Sequence, residues 1–196
     1  MDYFGDAMKR YLKEQSEEIR KILGFKNEEP NTATEICSAN AFEISKRLTK
    51  SAYYLDIAYS VSKRSTCLKR RYGCVIIKND EIISTGYNGS PRGIKNCCDK
   101  GECKRMNAPS NSGEYSDCHS VHAEQNAMLS AARREMLGAT MYLYGTERKW
   151  SEINQEFFDW SVITAEPCPI CARMIANSGI KYVINNAGDI ALGGCL

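Results

Sequence analysis

Apolar positions recur at helical spacing over residues 3–25. Tyr3, Phe4, Met8, Leu12, Ile19, Ile22 and Leu23 are separated there by charged residues, which predicts a helix. Gly24, then Pro30 and Asn31, mark its end and a linker. Such a helix serves oligomerisation or docking, or packs on its own domain. A second helix is predicted over 41–62, with Phe42, Ile44, Leu48, Ala52, Leu55, Ala58 and Tyr59 as its buried stripe. Residues 74–77 and 81–84 are short β-rich runs with Asn79 and Asp80 between them, the pattern of a hairpin. From Tyr87 to Ser120 the chain is rich in Gly, Pro, Asn, Ser and Cys. A loop that long in a compact domain is functional or is pinned by something. A helix over 122–135, a strand over 140–144, a helix over 169–178 stopped by Gly179, and a strand over 181–185 complete the pattern. Strand and helix alternate after Cys74, which indicates an α/β layered domain. The expected division is an N-terminal helical extension, 1–38, and a domain over 39–196, with no repeat or low-complexity tract.

Composition narrows the function more than the fold. The 196 residues carry 26 basic and 24 acidic side chains, a net charge of +2. Polynucleotide binders carry a strongly basic face, so a small substrate is favoured. No apolar run approaches the roughly 20 residues of a membrane span, so no membrane partner is expected. The first 24 residues are too charged for a secretory signal. Ten cysteines in such a chain read as metal ligands or buried thiols rather than disulfides, and the expected compartment is the cytoplasm.

Two short motifs carry the chemistry: His122-Ala123-Glu124 and Pro167-Cys168-Pro169-Ile170-Cys171. Zinc takes four tetrahedral N and S ligands, and a catalytic site keeps one position for water. His122, Cys168 and Cys171 supply three ligands, with the histidine arriving from a separate element. Both motifs precede helical segments, whose positive ends favour thiolate over thiol. Two thiolates and a neutral imidazole leave the site formally neutral, so a nearby carboxylate must take the proton from water. Glu124 stands where it can do that, protonate a ring nitrogen and deliver a proton to departing ammonia. His-x-Glu followed by Pro-Cys-x-x-Cys is a known signature of zinc nucleobase deaminases.

Beyond these motifs the chain resembles the deoxycytidylate (dCMP) deaminases of the cytidine deaminase superfamily. The resemblance lies in Arg64-Ser65-Thr66-Cys67, Gly73-Cys74-Val75-Ile76, the run from Ser84 to Gly93, Asn96-Cys97-Cys98, the run from Val121 to Ala127, Gly138 to Tyr142, and Pro167 to Ala172 with Ser178-Gly179-Ile180. It covers about residues 42–185. It implies a three-layer α/β fold of the cytidine deaminase type, a mixed β-sheet flanked by helices with zinc between two helix starts. It implies hydrolysis of dCMP to dUMP and ammonia by a homo-oligomer, with a hexamer favoured, activated by dCTP and inhibited by dTTP. Mg2+ would accompany the effector nucleotide. Gly86, Tyr87, Asn88 and Gly89 match the run that binds effectors, although Asn-Gly is also a common tight turn. Asn88, Ala123 and Pro167 match substrate-binding positions.

The chain departs from the family pattern in three places. Residues 145–161 form an insertion carrying Trp150, Phe157, Phe158 and Trp160, read as a lid or oligomer contact or as packing over one edge. The chain ends soon after the strand at 181–185, which puts a fifth strand in question. The N-terminal 38 residues are extra. A second, structural zinc is expected to pin the long loop, with Cys97, Cys103 and Cys118 as ligands and Cys67 and His119 as further candidates. The substrate phosphate needs cations, and Lys63, Arg64, Lys69, Arg70, Arg71, Arg92, Lys95 and Arg105 are all eligible. Rival readings are a deaminase of another cytosine or purine nucleotide or of a polynucleotide, a regulatory nucleotide-binding protein on the same fold, and a structural zinc module.

Overall fold

A computed structural model of the protein describes residues 47–106, 118–151, 153, 156–157, 159–187 and 190–192. The helix predicted over 3–25, the boundary at 38, and Phe42 and Ile44 lie outside the described residues. The chain divides after Thr49, and the unit from Lys50 onward carries the fold.

Helix α1, Lys50–Ser62, starts later than the predicted 41, since Arg47 to Thr49 are not helical. Thr49 is a residue type favoured just before a first turn. Strands β1, Arg70–Lys78, and β2, Glu81–Tyr87, form the expected antiparallel hairpin. Asn79 and Asp80 turn it with φ of 52° and 67°, values that asparagine and aspartate tolerate better than most residues. A short helix α2, Cys97–Lys100, interrupts the long loop, whose two ends are tied by a Gly89–Val121 bridge. The helix predicted over 122–135 is two helices: α3, Ala123–Leu129, and α4, Arg133–Met136. The break has a local cause. Ser130 Oγ donates back to the Asn126 carbonyl at 2.9 Å, and the Glu135 carboxylate accepts from Ala132 N–H at 2.9 Å, starting a new helix. Strand β3 runs Thr140–Glu147, three residues past the predicted end. After it come β4, Trp150–Ser151, β5, Glu156–Phe157, and β6, Ser161–Ile163. Helix α5, Pro169–Ser178, matches its prediction, with Pro169 in its first turn and Gly179 left-handed at its end. Strands β7, Tyr182–Asn185, and β8, Ile190–Leu192, are the last described elements.

The sheet order is β2-β1-β3-β7-β8, mixed because, among the described residues, only β3 and β7 run parallel. The questioned fifth strand is present as β8, antiparallel to β7. The insertion returns to the sheet: β6 pairs with β3 at 145–147, just beyond the stretch that β7 occupies. Trp160 then lies under two guanidinium groups, Arg71 at 4.0 Å and Arg148 at 5.3 Å. At this end the insertion packs against the sheet rather than standing off it.

Strand alternation sorts the two cores. Val75, Ile77 and Tyr142 face α1, where Tyr54 and Ala58 are buried. Cys74, Ile76, Met141, Leu143 and Val183 face the other way, against Ala123, Ala127 and Ile175 of α3 and α5. The result is the expected three layers. Helix α3 sits unusually close to β2. Ser84 Oγ donates to the Ala127 carbonyl at 2.8 Å, and Asn126 Nδ2 donates to the Tyr87 carbonyl at 2.7 Å. A Cβ on Gly86 would stand 2.2 Å from the Ala123 oxygen and 2.4 Å from the Ala127 nitrogen, both backbone atoms of α3. Gly86→Ala is therefore expected to cost about 1–3 kcal/mol, the range for overpacking. Activity should fall with it, because the displaced helix carries Glu124. A urea midpoint equal to that of the parent protein would contradict this packing argument.

Candidate active site

The site forms where two helices begin. His122 precedes α3 in extended backbone, and its N–H donates to the Gln125 side-chain oxygen at 3.0 Å, which fixes the entry to the helix. Cys168 holds the same position before α5, its sulfur accepting from Cys171 N–H at 3.5 Å. The approach to Cys168 is anchored by Asn186, which accepts from Ala165 N–H at 3.2 Å and donates to the Ile163 carbonyl at 2.7 Å. These contacts bring His122 Nδ1 to 3.5 Å from the Cys168 sulfur and 3.4 Å from the Cys171 sulfur.

Those separations test the metal directly. Tetrahedral zinc with Zn–S of about 2.3 Å and Zn–N of about 2.0–2.1 Å places N and S about 3.5 Å apart. The three donor atoms all lie within 4.8 Å of one another, and among the described residues this is the one such group of histidine, cysteine and carboxylate ligands. The residues fit zinc, with Nδ1 as the histidine donor.

Electrostatics favour one thiolate of the cysteine pair. The hydrogen bond from Cys171, then that from His122, pulls the Cys168 thiol down to about 3, so it stands as thiolate. The same bond pushes Cys171 up. Hydrogen bonding to Cys168 raises the His122 ring against the opposing effect of burial. Glu124 is only 4% exposed. Burial pushes its carboxyl up, while its own backbone N–H and the His122 charge hold it down. A carboxyl so placed can hold a proton in one step and release it in the next.

A cleft of about 140 Å³ opens onto this group, lined by His122, Glu124 and Cys168 together with Lys69, Arg70, Tyr72, Asn88, Arg105 and Glu166. Asn88 accepts from Ser65 Oγ at 2.7 Å and Tyr72 N–H at 2.8 Å, and donates to the Arg70 carbonyl at 2.9 Å. Two of these bonds lock it onto the start of β1, and the third ties it to Ser65 ahead of the strand. Ala123 is fully buried in the core, and neither it nor Pro167 lines the cleft. A second cleft of about 300 Å³ is lined by Gly86, Tyr87 and Gly89 with Arg64, Arg92 and Asn126. The Gly86-to-Gly89 run is thus no tight turn. It ends β2 and divides, Asn88 facing the first cleft and its neighbours the second.

The thiols of the long loop are close without forming a tight ligand group. Cys67 and Cys103 share a hydrogen bond that brings Cys67 down to about 6, and both border the first cleft with Cys118. Cys97 feels the charges of Cys67 and Cys118, whereas His119 lines neither cleft. Sequence reasoning missed Tyr72. Its signal was the period-two pattern of β1, which places Arg70, Tyr72 and Cys74 on one face.

Three donor atoms at zinc spacing, with a buried carboxyl in the same cleft, fit a hydrolytic zinc site on a mixed sheet. The family described as the cytidine and deoxycytidylate deaminase zinc-binding region matches residues 48–187. The chain belongs to this family. It is 38% identical to a deoxycytidylate deaminase of Schizosaccharomyces pombe, over 68% of this chain and 35% of that one. It is 36% identical to the deoxycytidylate deaminase of Enterobacteria phage T4, over 69% of this chain and 76% of that one. It is 34% identical to that of Mycobacterium phage D29, over 67% of this chain and 90% of that one. The chain thus spans about a third of the yeast relative and most of each phage relative. Among the described residues, no helix is long and apolar enough to cross a membrane.

Proposed function

We propose that this protein hydrolyses dCMP to dUMP and ammonia. The observation that carries the reading is the 3.4–3.5 Å spacing of His122 Nδ1 from two cysteine sulfurs, with Glu124 buried in the same cleft. His122, Cys168 and Cys171 would hold the zinc, which would supply Lewis acidity toward water. Glu124 takes a proton from the attacking water and gives it to the ring N3. It then moves the second proton to the departing amino group, which leaves as ammonia. Asn88, locked to β1, holds the sugar or base edge in place, and His122, Glu124, Glu166 and Cys168, the chain neighbours of Ala123 and Pro167, border the base. The relatives named deoxycytidylate deaminase support the substrate.

Regulation belongs to the second cleft, where Arg64 and Arg92 offer charge for phosphates beside Gly86, Tyr87 and Gly89. dCTP, accompanied by Mg2+, activates there and dTTP inhibits. A second, structural zinc is held by Cys97, Cys103 and Cys118 with Cys67, a reading supported by the electrostatic contacts among these thiols. The catalytic domain covers 39–196, after an extension over 1–38. It assembles as a homo-oligomer, a hexamer, a reading supported by exposed apolar residues at the ends of α3 and α5 such as Leu129, 75% exposed. It works in the cytoplasm, where thiols stay reduced.

The test is ammonia release from dCMP, dCTP, deoxycytidine and a cytosine-containing single strand, with dCTP or dTTP added as effector. Fast turnover of dCMP, raised by dCTP and lowered by dTTP, is expected. Zinc-loaded protein that releases ammonia from none of them would overturn the reading. Preference for the single strand would move the substrate to a polynucleotide.

A further inference from the structure

The insertion after β3 breaks the path of the chain into the zinc site. β3 ends at Glu147, and β6 returns antiparallel to it with Ile163 opposite Gly145. Cys168 follows shortly after Ile163. The ligand therefore cannot take its position from the covalent run of β3, and the returning segment has to be registered by contacts of its own. Ala165 makes one of them. It is fully buried, its methyl standing 3.2 Å from where a Cβ on Gly145 would be. Asn186 makes the other. Its side-chain oxygen accepts from Ala165 N–H at 3.2 Å, and its Nδ2 donates to the Ile163 carbonyl at 2.7 Å.

Asn186 belongs to the sheet and not to the insertion. It follows β7, which pairs with the central strand β3 from Thr140 to Leu143. The neighbouring Asn185 side chain accepts from Ala187 N–H at 3.0 Å, which shapes the turn that carries Asn186. We propose that Asn186 is a positioning residue of the zinc site: it ties the returning segment to the end of β7 and so sets where the Cys168 sulfur stands. The proposal rests on the zinc reading above.

The link from Ala165 to Cys168 is stiff. Glu166 and Cys168 each precede a proline, which confines them to extended backbone, and Pro167 has its own φ fixed. Cys168 holds φ of −66° and ψ of 163°, as that restriction requires. A displacement at Ala165 is therefore passed on to the sulfur rather than absorbed. Zinc tolerates little of it, since ligand distances in its sites hold to about 0.2 Å. His122 Nδ1 already lies 3.5 Å from this sulfur, the separation that tetrahedral zinc demands. Asn186 lines neither cleft, so it acts through Cys168 and not on the substrate.

The test follows zinc release to a chromogenic chelator from the parent protein, Asn186→Ala, Asn186→Asp and the control Ser178→Ala, counting the equivalent that Cys168→Ala lacks. Ser178 Oγ donates to the Ile175 carbonyl at 2.7 Å at the far end of α5, so its loss weakens the same helix without touching the approach to Cys168. Asn186→Ala should release this zinc roughly 10-fold faster, the low end for groups that orient a metal ligand. Asn186→Asp keeps the shape and the acceptor for Ala165 N–H, but sets an oxygen against the Ile163 carbonyl in place of the Nδ2 donor. It should release zinc at least as fast as Asn186→Ala, whereas a side chain that merely filled space would be replaced by aspartate without loss. Turnover of dCMP should fall in step with zinc, and KM of the zinc-loaded protein should stay near the parent value. Ser178→Ala should keep the parent release rate at a lower thermal midpoint. Parent-like release from either Asn186 variant overturns the positioning role and leaves the zinc reading standing. Release from Ser178→Ala as fast as from Asn186→Ala also overturns it. A parent protein that takes up no zinc overturns the reading beneath it.

Discussion

Replacing Glu124 with glutamine is expected to lower dCMP turnover by roughly 10³–10⁴-fold, the upper part of what general acid–base catalysis contributes. The change keeps the shape of the side chain and removes its ability to carry a proton. Glu124 lies at the first turn of α3, directly after the buried Ala123, so its backbone is fixed by the helix rather than by its carboxyl. Zinc content should stay at the parent level, since the ligand atoms belong to His122, Cys168 and Cys171. Stability should not fall, because a neutral amide replaces a carboxyl that burial disfavours in its charged form. The loss should appear in kcat, with KM for dCMP within a few-fold of the parent value, as expected when an interaction of the reacting step alone is removed. Metal analysis and steady-state kinetics on one preparation measure both. Turnover near the parent rate would show that some other group moves the protons.

How much could be read in the chain depended on whether the cause was local. The β1–β2 hairpin was legible because Asn79 and Asp80 suit the positive φ that the turn imposes. Helix α5 was legible because Pro169 and Gly179 punctuate its two ends. The meeting of Cys168 and Cys171 was legible because Cys-x-x-Cys before a helix delivers two sulfurs to one point whatever the rest of the chain does. The break between α3 and α4 was missed because apolar spacing continues through it, while Ser130 and Glu135 redirect the backbone hydrogen bonds. Pairing of β6 with β3 was not legible, since register between distant strands is set by tertiary packing. Gly86 was assigned to effector binding from its motif. The structure adds a steric requirement, the backbone of α3 lying where a Cβ would be. The basic cluster over 63–71 looked like one patch in sequence. Folding divides it among a tyrosine ring, a tryptophan ring and two clefts: Lys63 and Arg64 lie in the turn after α1, while Arg70 and Arg71 are neighbours on β1 and point to opposite faces.

Cysteine substitutions separate ligand from core. Cys168→Ala is expected to remove one equivalent of zinc and with it dCMP turnover. Two donors remain, and a catalytic zinc site needs three protein ligands. The same change removes the sulfur that accepts from Cys171 N–H at the start of α5, a loss of about 1 kcal/mol by analogy with other N-caps. Any further drop in the thermal midpoint measures the stabilisation that zinc supplied by binding the folded state, about 4 kcal/mol at a thousandfold excess over Kd. Cys74→Ala is the contrast. Cys74 is fully buried between β1 and the α3 layer, and burial pushes its thiol well up, so it behaves as a small apolar side chain. It should keep its zinc and most of its turnover while losing some stability. If the loop thiols hold a second metal, the parent protein carries two equivalents and Cys168→Ala keeps one, with Cys67 and Cys103 unaltered. Full zinc occupancy in Cys168→Ala would refute the assignment of that sulfur as a ligand, and equal zinc loss in Cys74→Ala would show that the metal content reports folding rather than coordination.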